Sequence, residues 1–361
     1  MEHHVKGITK KQEKFHLDGF SGFPDCILSH ILCFLDTKSA IRTSILSKRF
    51  KHFWTLSPCL IFEFSGFSPK KYVKYTSHVM AEEDQASVES FKSCVYNMLK
   101  QREHTALTKF HLSLHEDGGS TFIEDCAFYA AQHDVQDLEI HGFTRLKPAT
   151  LPRSLLTSSS LINLHLHNAY GRGIELPKSV ILPNLKVLRL NKFEFSDKKY
   201  DGWLSTGCPS LECLVLSNCW IHPGDKFTDL DLNSPNLKNL EIGYWSCVWD
   251  CMDTCMINVM APRLSFFKFV GHLVRVNFKE GLPCLDELFI DLYCPSLYLC
   301  TVVHECRELN GEFLIHLFHQ ISFVKCLSLS PNTIEVRRLT DSVFNAEGLI
   351  SSFFNLCCSF D

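Results

Sequence analysis

Nine times along the chain an apolar residue is followed, three and five positions later, by two more. These triplets begin at Leu107, Val135, Leu161, Leu185, Leu211, Leu237, Leu264 and Leu285, at separations of 28, 26, 24, 26, 26, 27 and 21 residues, and a ninth begins at Val324, 39 residues further on. A period held over that distance excludes a single closed core. One unit of this size cannot bury its own apolar side, so each must lean on the next and the chain must extend as a stack. Within each triplet the second and third apolar residues are two apart, the spacing that places them on one face of a strand.

A second marker keeps the same phase. Pro183, Pro209, Pro235, Pro262 and Pro283 each stand two residues before the first leucine of their unit. Proline has no N–H to give to a ladder, so the entrance of a strand is one of the few places where it can recur. Period and triplet together resemble leucine-rich repeats, whose units run to 20–29 residues. Leu211 to Ile221 follows the full template, with Cys219 where the chain turns inward; Phe193, Trp245 and Tyr293 stand there in degenerate units. The resemblance implies parallel strands on a concave face and helices or loops on the convex one. Thr121 to Gln132 is the clearest convex helix.

The composition fits an extended array with a small module attached. The chain has 361 residues, 45% hydrophobic, and 36 Lys plus Arg against 40 Asp plus Glu. A net charge of −4 offers no sequence-wide field for nucleic acid, which needs a concentrated basic surface. No apolar run approaches the roughly 20 residues of a spanning helix, so no membrane association is expected. The start, Met1 to Gln12, is polar and basic rather than signal-like, and the chain reads as unsecreted, in nucleus or cytoplasm. In a long chain without an export signal, its 18 cysteines read as reduced thiols, most of them small hydrophobes such as Cys33, Cys213 and Cys326.

Residues 17–64 have a different pattern. Pro24 and Asp25 can open a helix, because proline is tolerated in the first turn and an acidic group there complements the helix dipole. Ile27, Leu28, Ile31, Leu32 and Leu35 follow as one apolar stripe. Asp36 and Thr37 can cap a second helix carrying Ala40, Ile41, Ser44 and Ile45, and Ser47 a third carrying Lys48, Arg49, Phe50, Phe53 and Trp54. Three short helices cannot enclose that many apolar side chains. Each large aliphatic left in water forgoes about 1.5–3 kcal/mol of burial, so a second protein is the expected partner.

Phe23-Pro24-Asp25, Ile27-Leu28, His30-Ile31-Leu32, Phe34-Leu35, Thr43 to Arg49 and Trp54 together resemble the F-box of plant F-box/leucine-rich-repeat proteins. Two positions depart from the family pattern, Phe23 replacing leucine and Phe50 replacing tryptophan, and both keep apolar bulk. The resemblance implies docking onto the Skp-type adaptor of a Skp-cullin-F-box ubiquitin ligase, and through it onto cullin. Phe23, Pro24, Ile27, Leu28, Ile31, Leu32 and Leu35 are then the adaptor-binding positions, and the repeats bind a protein target. The implied architecture is α/β: a basic tail (1–16), a three-helix F-box (17–64), a linker loop and helix (65–104), a solenoid (105–335) and an atypical end (336–361). Within it, Leu60 to Phe64 reads as a first strand and Ala86 to Glu103 as an amphipathic helix joining the modules.

Constellations that carry chemistry elsewhere are weak here. Cys247, Cys251 and Cys255, and likewise Cys294, Cys300 and Cys306, lack the paired spacing of zinc sites. His111, His165 and His167 fall in or beside strands, where a satisfied histidine is commoner than a general base. Gly171-Arg172-Gly173 lacks the rest of a phosphate loop. Lys6, Lys10, Lys11 and Lys14, and Lys70, Lys71 and Lys74, read as solvated surface. No cofactor and no catalysis are expected. Two alternatives stay open: a repeat scaffold outside any ligase, and a receptor whose basic strand residues (His165, Lys186, Arg189, Lys238) hold a small molecule that completes the target site.

Overall fold

A computed structural model describes residues 22–46, 50–66, 82–114, 119–142, 149–168, 174–175, 180–195, 206–221, 229–245, 255–271, 274–292, 313–321, 324–331 and 333–334. The basic tail, Ser47 to Arg49, Lys70, Lys71, Lys74, Gly171 to Gly173, Cys247, Cys251, Tyr293, Cys294, Cys300, Cys306 and residues 336–361 lie outside them, as does the side chain of Cys255.

The repeats build one ten-stranded sheet. Its strands are β1 (Cys59–Glu63), β2 (Lys109–Ser113), β3 (Asp137–Gly142), β4 (Asn163–Asn168), β5 (Val187–Asn191), β6 (Cys213–Ser217), β7 (Asn239–Trp245), β8 (Phe266–Gly271), β9 (Glu287–Leu292) and β10 (Cys326–Leu329). Spatial order follows chain order, and every pairing is parallel. Each of the nine triplets starts two residues before its strand, so the expected phase holds throughout.

Register turns the triplets into two continuous apolar rows. Leu60, Phe110, Leu138, Leu164, Leu188, Leu214, Leu240, Phe267, Leu288 and Leu327 stand opposite one another in succession. Phe62, Leu112, Ile140, Leu166, Leu190, Leu216, Ile242, Phe269, Ile290 and Leu329 do the same two residues on. All of them are buried except Leu327 and Leu329 in the last strand, which pack partly against the same core. The triplet's first residue adds a third row from just outside the strand, buried from Leu107 to Leu285 and partly buried at Val324.

The recurring prolines sit elsewhere than at a strand entrance. Each is the second residue of a turn closed by a hydrogen bond from the first leucine's N–H: Leu185 to Leu182, Leu211 to Cys208, Leu237 to Ser234, Leu264 to Ala261 and Leu285 to Leu282, at 3.0–3.5 Å. The pyrrolidine ring presets the φ that this position of a turn requires. Proline therefore aims the leucine inward, and its missing N–H is a side effect.

A left-handed residue recurs at the same repeat position in three successive units: Lys192 (φ 59°) and Asn218 (φ 53°) just past β5 and β6, and Tyr244 (φ 50°) near the end of β7, where the register shifts. There the N–H of Lys192 donates to Ser217 O at 2.9 Å, and that of Asn218 to Gly243 O at 2.7 Å. Beside this turn Cys219 is buried, its thiol 3.4 Å from Ser217 O and 3.7 Å from Leu190 O, in keeping with its inward-turning position.

Helices cover the core side. The expected joining helix runs over Glu82–Gln101 and turns Val88, Phe91, Val95 and Leu99 into the solenoid core. The convex helix Ser120–Gln132 adds Phe122, Ile123, Cys126, Ala127 and Ala130. Later units carry short parallel strands instead, Asp229–Asn233, Cys255–Met260 and Val274–Phe278, which form a second sheet.

Two threonine hydroxyls extend the backbone pairing near either end of the sheet. Thr37 Oγ1 accepts the N–H of Ile61 in β1 at 2.8 Å. At the far end, Thr333 Oγ1 accepts from Leu292 N at 2.8 Å and donates to Ile290 O at 3.2 Å, continuing the pairing where β10 has stopped. Behind β1, buried Arg102 donates to Ser57 O through Nε (3.2 Å) and Nη2 (3.0 Å), to Thr105 O (2.9 Å) and to Thr105 Oγ1 (2.7 Å). One guanidinium thus ties the approach to β1 to the approach to β2.

Two measurements check this architecture. Leu190→Ala should cost about 2–5 kcal/mol in urea unfolding, whereas Arg189→Ala, its neighbour on the opposite face, should change stability by about 0.5 kcal/mol or less. Arg102→Ala strands several buried carbonyls and should cost about 2–4 kcal/mol, and Arg102→Lys should recover only part of that, because an ammonium cannot reproduce the fork.

Candidate protein-docking face

The N-terminal module begins with helix α1 (Asp25–Leu32), opened by Pro24. Asp36 caps helix α2 (Thr37–Arg42) as expected, its carboxylate accepting from Ser39 N at 2.8 Å and Ser39 Oγ at 2.7 Å. A short 3-10 turn, Thr43–Ile45, continues α2, and helix α3 (Phe50–Phe53) runs into a second, Trp54–Leu56.

The apolar stripe of α1 divides. Leu28 and Leu32, each 1% exposed, point inward with Ala40, Phe50, Phe53 and Trp54, forming a small core of their own. Leu35 is half-buried against that core, and Met98 of the joining helix packs on it from behind. Phe23, Pro24, Ile27 and Ile31 stay exposed. Of the seven positions expected at a docking face, four are therefore on the surface and two are wholly internal. One stripe serves both sides because Ile27/Ile31 and Leu28/Leu32 are neighbouring helical rows about 100° apart.

The surface also carries residues that were not expected to dock. Phe34 is 75% exposed, Ile45 86% and Leu46 64%, and Leu56 is exposed as well. Seven of the eleven large exposed hydrophobics among the described residues fall between Phe23 and Leu56. Exposed apolar residues concentrated in one small module stand out, since scattered single ones are ordinary. The sequence signal for the added residues was their place at helix ends in a module too small to enclose them.

The open face of the large sheet mixes polar and charged side chains with half-buried apolar ones. His111 Nδ1 lies 2.8 Å from one Glu139 oxygen and His141 Nε2 2.9 Å from the other. These hydrogen bonds, from His111 and then His141, hold the Glu139 carboxyl well below the usual carboxylate range, against the opposing effect of burial. The rings of His141 and His167 lie 5.1 Å apart, and burial pushes the His165 pKa down. These histidines are structural neighbours of strand residues, as expected. Further along, Lys186 and Lys238 both engage Glu212, at 3.7 and 2.7 Å, so two of the four basic residues considered for a small molecule take part in pairing between neighbouring units. Among the described residues no group of histidine, cysteine or acidic side chains is arranged to hold a metal ion, and no helix is long and apolar enough to cross a membrane.

Glu139→Gln tests the histidine contacts. A depressed folded pKa stabilises above the unfolded value of about 4.3 and loses that contribution as pH falls towards the folded value. The variant should thus be less stable by about 1–3 kcal/mol at pH 7. In urea titrations that gap should narrow below about pH 4.3.

Residues 20–62 match the F-box domain family, and residues 126–280 match the repeats described as FBD-associated F-box protein At5g56370, LRR repeats. Among curated proteins, the chain is 31% identical over 255 residues to F-box/LRR-repeat protein 25 of Arabidopsis thaliana, covering 70% of this chain and 85% of that one. It is 27% identical over 342 residues to FBD-associated F-box protein At4g13985 of the same plant, covering 91% and 68%. It is 31% identical over 353 residues to the putative F-box/FBD/LRR-repeat protein At5g62970, covering 91% and 71%. No solved structure matches. With an F-box match over its N-terminal module, a repeat match over its stack of leucine triplets and a relative 31% identical over most of its length, the chain belongs to the plant F-box/leucine-rich-repeat family.

Proposed function

We propose that this protein is a noncatalytic substrate-recognition subunit of a Skp-cullin-F-box ubiquitin ligase. The carrying observation is the exposed apolar cluster of Phe23, Ile27, Ile31, Phe34, Ile45 and Leu46 on a module whose inner residues are already packed. A Skp-type adaptor seated there removes these side chains from water, each large one contributing about 1.5–3 kcal/mol when fully covered. Leu28, Leu32 and Leu35 act from behind, holding α1 at the angle that presents Ile27 and Ile31.

The other half of the proposed task belongs to the sheet. Its open face offers a protein target mixed charge and half-buried apolar side chains, among them Val187, Val215, Phe266 and Phe289. Arg102 and the Thr37 hydroxyl hold the adaptor end rigidly to the target end. The protein then contributes proximity: a lysine of the target is kept near a conjugating enzyme recruited through cullin, so that an encounter becomes an effectively intramolecular step. The module also caps the sheet, yet that task uses only its inner side and leaves the outward cluster unexplained.

Binding of a purified Skp-type adaptor, measured by calorimetry, tests the reading. Ile27→Asp with Ile31→Asp should weaken binding at least about 100-fold, a hot-spot-sized loss, while the unfolding midpoint stays near wild type because both side chains are exposed. Leu28→Ala should instead lower stability by about 2–5 kcal/mol. Undiminished adaptor binding by the folded double variant would exclude α1 as the docking helix.

A further inference from the structure

The acids nearest the middle of the sheet's open face are held by neighbours. The two oxygens of Glu139 lie 2.8 Å from His111 and 2.9 Å from His141. Glu212 is gripped by Lys186 at 3.7 Å and Lys238 at 2.7 Å, and Glu241 lies 3.5 Å from Lys268. Arg189 in β5 is the cation that this pairing leaves over. It is exposed, and it has no hydrogen bond or ion pair among the described residues. His165 of β4 and Val215 of β6 stand opposite it in register. No other permanent charge occurs on the open face of β4, β5 or β6, whose remaining side chains are histidine, asparagine, valine, cysteine and serine.

A guanidinium never loses its charge in a protein, and its planar fork fits a carboxylate through two parallel hydrogen bonds. Here it stands between Val187, two residues earlier on the same face, and Val215, both half-buried. A partner laid over the valines expels water from around the fork, and the pair it makes there is stronger than one in bulk solvent. Burial pushes the His165 pKa down, so near pH 7 its ring is neutral and offers a hydrogen-bonding nitrogen rather than a second charge. The centres of protein interfaces are poor in charged residues but rich in arginine, and this is the composition found across β4–β6.

We infer that Arg189 anchors an acidic side chain of the protein target, an aspartate or glutamate with an apolar residue beside it to cover Val187 and Val215. The inference rests on the proposed role of the sheet in target binding and names the chemistry that the sheet selects. Charge complementarity commits the occupant: a basic segment meets an unpaired cation and is repelled, while an acidic one finds its only local counter-charge. An inorganic anion would meet one guanidinium and leave both valines in water, whereas a peptide covers them as well.

The test presents the purified intact chain, without adaptor, to cellulose-bound random nonapeptides whose central residue is Glu, Asp, Gln or Lys. Wild type should be retained about tenfold more on the Glu and Asp sets than on the Gln set, the size expected of one charge-assisted pair. Arg189→Gln should abolish that preference, and Arg189→Glu should transfer it to the Lys set, with urea midpoints unchanged because the side chain is exposed. Lys100→Gln, the same change of charge on the joining helix, should leave the preference intact. Equal retention of all four sets by wild type would overturn the proposal, and so would a preference that survives Arg189→Gln or that Lys100→Gln weakens as much. Displacement of the Glu set by inorganic phosphate as readily as by free peptides of that set would overturn it too. No adaptor takes part, so a chain that docks normally in calorimetry yet ignores acidic peptides refutes the anchor alone.

Discussion

Parallel pairing in strict register is the constraint on which the rest of this molecule depends. Ten strands paired in register at the triplet positions, with a shift past them between Gly243 and Trp245, bring every second and third triplet residue opposite its counterpart, so that two apolar rows run unbroken from Leu60 and Phe62 to Leu327 and Leu329. A slip of one residue in any strand would turn that unit's leucines to the open face and its polar residues into the core. The proline turns and the left-handed residues at Lys192, Asn218 and Tyr244 work to the same end, setting where each strand starts and where it leaves the sheet.

A stack of this kind has two open ends, each offering unpaired N–H and C=O groups to stray strands. The Thr37 hydroxyl takes up one N–H of the first edge strand, β1, whereas Thr333 bonds β9 and so prolongs the β9–β10 pairing past the end of β10. Because Thr37 belongs to α2, the N-terminal module is joined to the sheet by backbone chemistry as well as by packing. Arg102 adds a second join, a buried cation whose donors are matched by carbonyls and a hydroxyl. Desolvating a charge this completely is costly unless its hydrogen bonds are made, and that cost makes the arrangement specific.

The module itself is a compromise between enclosing and presenting apolar surface. With so few residues it closes a core of only six side chains around Leu28, Leu32 and Trp54, and leaves a larger group outside. Independence and incompleteness coexist: the inner residues keep the helices folded, and the outer ones supply the reason for a partner.

Most of the array was legible in the residues alone. All nine triplets start two residues before their strands, because alternation within a strand and recurrence between strands are both written into side-chain polarity. Even the contact of His111 with Glu139 follows from repeat phase, since each stands four residues after the first apolar residue of its unit. Three things needed the folded chain. Ile27, Leu28, Ile31 and Leu32 are equally apolar, and nothing local says which pair faces inward; that was decided by where Phe50, Phe53 and Trp54 come to lie. The recurring prolines looked like strand entrances until their hydrogen bonds placed them in turns. The hydrogen bond between Thr37 and Ile61 joins a helix start to a strand with no shared period. Sequence determines what repeats, because repetition needs only short-range pattern; tertiary structure decides what meets once, because a single long-range contact leaves no periodic trace.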